Sequence, residues 1–140
     1  MIKEIVRDEV ALSIPAEPAT AEDADVAQDL LDTFESMNDV AVMLAANQIG
    51  SNKSIIVYLG TDDKPHVMFN PRIKNAMRPQ LSVEGCLSID RETTVTRFQT
   101  VTVSFDELRD GKLVPRSRKF TDFVGEAIQH GIDHCKGVLI

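Results

Sequence analysis

The chain has 140 residues, 43% of them apolar and 26% charged, the usage of an ordinary globular protein able to bury a core of its own. Fifteen basic against twenty-two acidic side chains leave a formal charge of −7, which argues against a general nucleic-acid binder, because phosphate neutralisation needs a surplus of Lys and Arg. No run approaches the roughly 20 apolar residues of a membrane span, and the acidic start MIKEIVRDEV lacks the apolar stretch of a leader. One domain over 1–140 in a reducing cytoplasm is therefore expected. The two cysteines, Cys86 and Cys135, allow one disulfide, but nothing else marks a secreted scaffold.

Up to about Pro18 the chain reads as an irregular lead-in, with prolines at 15 and 18. Thr20 is a good helix cap, followed by the acids Glu22, Asp23 and Asp25 and by Val26, Leu30, Phe34 and Met37 at helical spacing. Strands are expected at 54–59, at 66–70 until Pro71 stops the run, and at 93–105. Asp110-Gly111 is the strongest hairpin signal and turns the last of these back into 112–119. A second helix after Thr121 carries Val124, Ile128, Ile132 and Cys135 on one stripe, with Gly137 as its cap. The whole is an α+β reading.

In that second helix His130 and His134 stand four apart, on one face and a turn from each other. Two imidazoles so placed can hold one metal ion, and they can equally be a pair of satisfied histidines. Cys86 sits in Glu84-Gly85-Cys86-Leu87-Ser88, where Gly85 permits a tight turn. A thiolate added to two imidazoles makes three protein ligands and leaves a fourth position for water, the pattern of a catalytic site. The alternative for Cys86 is a buried free thiol acting as a small hydrophobe.

Leu44-Ala45-Ala46-Asn47-Gln48, the Glu84 to Ser88 run, and Gln129-His130-Gly131-Ile132-Asp133-His134 resemble, in order, the three motifs of peptide deformylases. Phe34-Glu35-Ser36-Met37 and Asn70-Pro71 fit as well, so the resemblance extends over nearly the whole chain. It implies a deformylase-like fold: mostly antiparallel strands around a C-terminal metal-binding helix, plus an N-terminal helix. It further implies that Cys86, His130 and His134 hold a divalent ion, Fe²⁺ in the family or Zn²⁺ or Ni²⁺ in its place. That ion activates water against the formyl group on the N-terminal methionine of a nascent peptide. By the same resemblance the Gln48 amide and the Leu87 backbone N–H steady the developing oxyanion. Val42, Met43, Leu44 and Gly85 would contact the peptide, and Asp133 would be an anchor outside the ligand set. The implied partner is an N-formyl-Met peptide close to the ribosome, with no direct contact to nucleic acid or membrane.

Two departures from the family pattern bear on activity. Gly131 stands where the family carries the glutamate that moves the proton, a contribution of typically about 10²–10⁴ in rate. Ala41 and Met43 replace two glycines of the first motif, and the long Met43 side chain covers or reshapes the methionine pocket. Other carboxylates, Glu126 a turn before His130, Asp90, and Glu84 as a partner of Arg97, are read as solvated or ion-paired. The pocket itself is expected from Leu44, Ile128 and the Val124 side of the helix. The tail 138–140 is expected to pack as a short strand or to meet a partner. The expectation is a deformylase-type metalloprotein with weak or lost hydrolysis. Its alternatives are an active amide hydrolase with another proton carrier and a non-catalytic peptide-binding module.

Overall fold

Five strands in sequence order form one antiparallel sheet: β1 (Met43–Ala45), β2 (Ile55–Leu59), β3 (Pro65–Gly85), β4 (Glu92–Arg109) and β5 (Lys112–Thr121). Three α-helices accompany it: a single turn α1 (Glu9–Leu12), α2 (Ala24–Ser36) and α3 (Asp122–Cys135). These elements belong to a computed structural model that describes residues 1–37 and 39–140. No helix among them is long and apolar enough to cross a membrane.

The expected helix after Thr20 opens as a 3₁₀ turn, Ala21–Asp23, that runs into α2. Thr20 Oγ1 accepts from the Glu22 N–H at 3.2 Å, and its own N–H donates to Asp23 Oδ2 at 2.8 Å, so two orphan donors of the helix start are satisfied. Along β2, Ile55 to Tyr58 are all buried because a helix covers each face of the sheet. Ile55, Val57, Leu44 and Phe69 pack on Ala27, Leu30 and Phe34 of α2. Ile56, Tyr58, Met43 and Ala45 face the other way, onto Ala127, Ile128 and Ile132 of α3. This period-two division decides which residues can reach the site.

At Pro71 the strand continues, contrary to the expectation that it stops there. Its missing N–H falls in an irregularity between Phe69 and Arg72, where Asn70 takes a φ of 53° and the pairing to β4 shifts. The Asn70 side chain ties the lead-in to this kink, accepting from Ala19 N at 2.8 Å and donating to Ala19 O at 2.9 Å, while its backbone N–H bonds Ser54 O at 2.8 Å. Beyond it β3 runs on as far as Gly85 and so delivers Glu84 and Cys86 to α3. Asp110 and Gly111, with φ of 51° and 76°, make the expected tight turn between β4 and β5.

Gly137 ends α3 in the left-handed region, its N–H bonded to His134 O at 3.0 Å. A Cβ there would lie 2.5 Å from Ser13 O, so space as well as φ calls for glycine. The tail forms no strand; Ile140 is buried.

Candidate metal centre

Three chain segments bring the donors together. α3 presents His130 and His134, β3 ends one residue before Cys86, and the 3₁₀ turn Ala46–Ile49 after β1 carries Gln48. The two Nε2 atoms are 3.1 Å apart, Cys86 Sγ is 3.4 Å from His134 Nε2, and all three donors lie within 4.8 Å of one another. A tetrahedral ion with bonds of about 2.0–2.1 Å to nitrogen and about 2.3 Å to sulfur sets its ligand atoms roughly 3.3–3.6 Å apart. The group therefore fits one ion with little adjustment, and two imidazoles plus a thiol suit iron, zinc or nickel.

The orientation of His130 is fixed from behind. Its Nδ1 is 2.9 Å from Glu84 Oε1. Glu84 in turn accepts from Arg97 Nε at 2.9 Å and from Nη2 at 2.8 Å, while Arg97 Nη1 donates to Asp133 at 2.6 Å. The pairing of Glu84 with Arg97 is the expected one. This chain of charges ties β3, β4 and α3 together and leaves His130 Nε2 free to face Cys86 and His134. Asn47 Nδ2 donates to the His134 carbonyl at 2.9 Å, bracing the other histidine from the strand side.

Electrostatics in the cluster follow from these contacts. Burial by itself raises the Cys86 thiol, but hydrogen bonds from His130 and His134 outweigh it and bring the pKa down to about 5. Burial likewise works against charged Glu84, and His130 and Arg97 hold it down at about 2 all the same. His130 is lowered by burial yet ends above the ordinary imidazole range because Cys86 and Glu84 favour its cation. Cys135, next to His134 in sequence, takes no part: both cysteines are free, and burial pushes the Cys135 thiol up to about 11 against a weaker opposing hydrogen bond from Ser54.

A cavity of about 420 Å³ opens onto Cys86, Gln48 and His130, walled by 40–43, by 83–87 and by Phe123, Glu126 and Ala127 of α3. Of the positions expected to contact a peptide, Val42, Met43 and Gly85 line this cavity, and Leu87, expected to offer its backbone N–H, lines it too. Leu44 does not. It has no exposed surface and points to the α2 face, because its strand neighbour Met43 takes the α3 face. Ile128 is fully buried in the core and Val124 packs against that core, so the pocket wall on α3 is made by Phe123, Glu126 and Ala127 instead.

Gln48 has its Oε1 accepting from Ala45 N at 2.9 Å and its amide nitrogen 3.2 Å from Ser88 Oγ and 3.6 Å from Cys86 Sγ. Ser88, whose N–H also approaches Cys86 Sγ at 3.4 Å, was given no role by the sequence although it closes the second motif. Among the other carboxylates, Glu126 accepts a hydrogen bond from Ser82 Oγ, and Asp90 is exposed and outside the cavity wall. Gly131 is buried beside Met43 and Ile56.

Comparison with known proteins follows the same line. The family described as polypeptide deformylase matches residues 2–140. A peptide deformylase of Clostridium beijerinckii is 36% identical over 141 residues, covering 100% of both chains, and one of Acidobacterium capsulatum is 36% identical over 99% of this chain and 84% of its own. Among crystal structures, a peptide deformylase from Legionella pneumophila superimposes with a TM-score of 0.85 at 29% identity, covering 99% of this chain and 83% of that one. The class I type b peptide deformylase from Acinetobacter baumannii gives 0.85 at 26% identity, covering 99% and 97%. The α+β fold is that of these enzymes, and the chain belongs to the polypeptide deformylase family.

Proposed function

We propose that Cys86, His130 and His134 hold a divalent ion, that the adjoining cavity takes a peptide N-terminus of the formyl-methionine kind, and that hydrolysis of the formyl amide is weak or lost. The observation that carries this reading is the pairing of a converged sulfur–nitrogen–nitrogen group with a glycine at 131. Such an ion supplies Lewis acidity and activates water near neutral pH. Iron is the family's metal, and zinc or nickel suits the same donors.

The chain's own groups divide the remaining work. Gln48, steadied by Ala45 N, offers its amide protons beside Cys86, and Leu87 lines the same cavity, where its backbone N–H would add a second donor to a developing oxyanion. Glu84 keeps His130 oriented and is engaged by Arg97, so it is not free to shuttle protons. Glu126 lines the cavity but is tied to Ser82. With Gly131 adding no acid, proton transfer to the leaving amine is the step left without a carrier.

Val42, Met43, Gly85 and Leu87 supply the peptide-facing surface. The Acinetobacter baumannii deformylase also has a crystal structure with Met-Ala-Ser bound, which illustrates the ligand class. The reading includes a single domain over 1–140, acting in the cytoplasm near the emerging nascent chain.

Metal analysis of the purified chain together with binding and turnover of formyl-Met-Ala-Ser tests it. The expected result is one ion per chain, saturable peptide binding, and turnover at least about 10²-fold below that of the Clostridium beijerinckii relative. Turnover within tenfold of that relative overturns the loss of hydrolysis. An ion-free chain that does not take up iron, zinc or nickel overturns the site.

A further inference from the structure

We propose that Met43 and Gly131 form one packing unit, in which the Met43 thioether fills the volume any side chain at 131 would need and so keeps the wall beside His130 free of an acid. The inference rests on the functional reading above and deepens it, making Met43 the residue whose bulk excludes a proton carrier at 131.

Gly131 lies inside α3, where glycine is the poorest choice short of proline. Its φ is not positive, so the backbone does not require it. Nor is it a helix end. Space is what requires it: a Cβ at 131 would lie 2.9 Å from Met43 Sδ, 3.1 Å from Ile56 Cδ1 and 3.2 Å from Ile56 Cγ2.

Ile56 cannot yield easily. It is β-branched, fully buried, and flanked on both sides by paired strands. Met43 is unbranched and can turn, but it is only 9% exposed, and the open space on its free side is the ligand cavity it lines. A larger residue at 131 therefore either strains the core or drives the thioether into the peptide's place. Conversely, a small residue at 43 opens a hole against Gly131. The two residues are distant in sequence and matched in volume.

A double-mutant cycle tests this, with Tm as a readout that needs neither substrate nor activity. In an otherwise unstrained helix Gly→Ala raises stability. Here Gly131→Ala is expected to lower Tm by roughly 3–10 °C, through overpacking. Met43→Ala lowers it through the cavity it leaves, and the double variant should be more stable than the sum of the two single effects.

For function, Gly131→Glu alone should show little hydrolysis of formyl-Met-Ala-Ser. Gly131→Glu with Met43→Gly should exceed it by at least tenfold. Insoluble Gly131→Glu protein that Met43→Gly renders soluble also supports the packing unit. A Gly131→Ala change that raises Tm equally in both backgrounds overturns the proposal, as does Gly131→Glu matching the activity of the double variant. Family-level turnover by the unaltered chain, by contrast, removes the functional reading while leaving the Tm cycle to stand or fall by itself.

Discussion

Two walls meet at the His130–Gly131 step of α3, and they are built from opposite chemistry. On one side Nδ1 meets Glu84, which is held by Arg97, which is held by Asp133. On the other, Gly131 leaves room for a methionine sulfur and an isoleucine. Buried ion pairs seldom add stability over a well-packed apolar equivalent, since desolvation offsets the attraction. Keeping Glu84 and Arg97 at 8% and 5% exposure therefore makes sense as a device for aiming His130. The apolar wall does the reverse: it packs well and contributes no proton. One side aims a histidine of the donor group, and the other fills space without offering an acid.

The largest effects should come from the polar wall and the donors it serves. Cys86→Ala or His134→Ala removes one of three donors and should weaken ion binding by well over the roughly 100-fold that outer groups contribute at most. Glu84→Gln, which leaves the donors in place, should fall within about 10–100-fold. Competition against a chelator of known affinity measures both, and equal losses would erase the distinction between donor and support. Arg97→Met strands Glu84 and Asp133 without their cation. It should cost about 3–5 kcal/mol in a denaturant titration, the magnitude for breaking a buried pair.

The polar wall was only partly legible in the sequence. His130 and His134 announce themselves by a four-residue spacing on an amphipathic helix, and Asp110-Gly111 announces its turn, because both signals are local. The link from Arg97 to Asp133 joins a strand to a helix 36 residues away, where no periodicity reaches. Pro71 misleads for a related reason. A proline breaks a ladder in general, but here it falls in an irregularity of the β3–β4 pairing, so the strand runs on past it. Leu44 belongs to a recognisable motif, yet only the placement of helices on both faces decides that Met43 and not Leu44 looks toward the site. The match between Met43 and Gly131 is invisible until the fold sets them in contact.

Acid should reveal the next largest difference between the walls. The folded-state pKa of Glu84, about 2, lies below its ordinary 4.5, so its contribution is complete above the ordinary value and is lost as pH falls through the folded one. The shift corresponds to about 3 kcal/mol. In the ion-free chain Cys86 has the same sign but a higher window, since its thiol drops from 9.0 to about 5, and its share is already gone once pH reaches that lower value. Below pH 4.5 Glu84 shares the loss with Asp32 and Asp62, whose carboxyls are also held low by hydrogen bonds, so the difference between the chain and Glu84→Gln isolates its part. Unfolding titrations across that range should show a slope that Glu84→Gln flattens, whereas Gly131→Ala leaves it in place.

The smallest effect should come from a volume-conserving change in the apolar wall. Met43→Leu keeps the volume nearly constant and should cost less than about 1.5 kcal/mol, whereas Met43→Ala, which leaves a hole against Ile56 and Gly131, should cost about 2–5 kcal/mol. If volume is all that Met43 provides, Met43→Leu also leaves ion affinity where it was, because no donor atom has been removed. Chelator competition decides the point. A loss of tenfold or more on Met43→Leu would place the thioether sulfur among the groups acting on the ion. The two walls would then differ only in which ligand each supports, and the contrast between an orienting side and a filled side would fail.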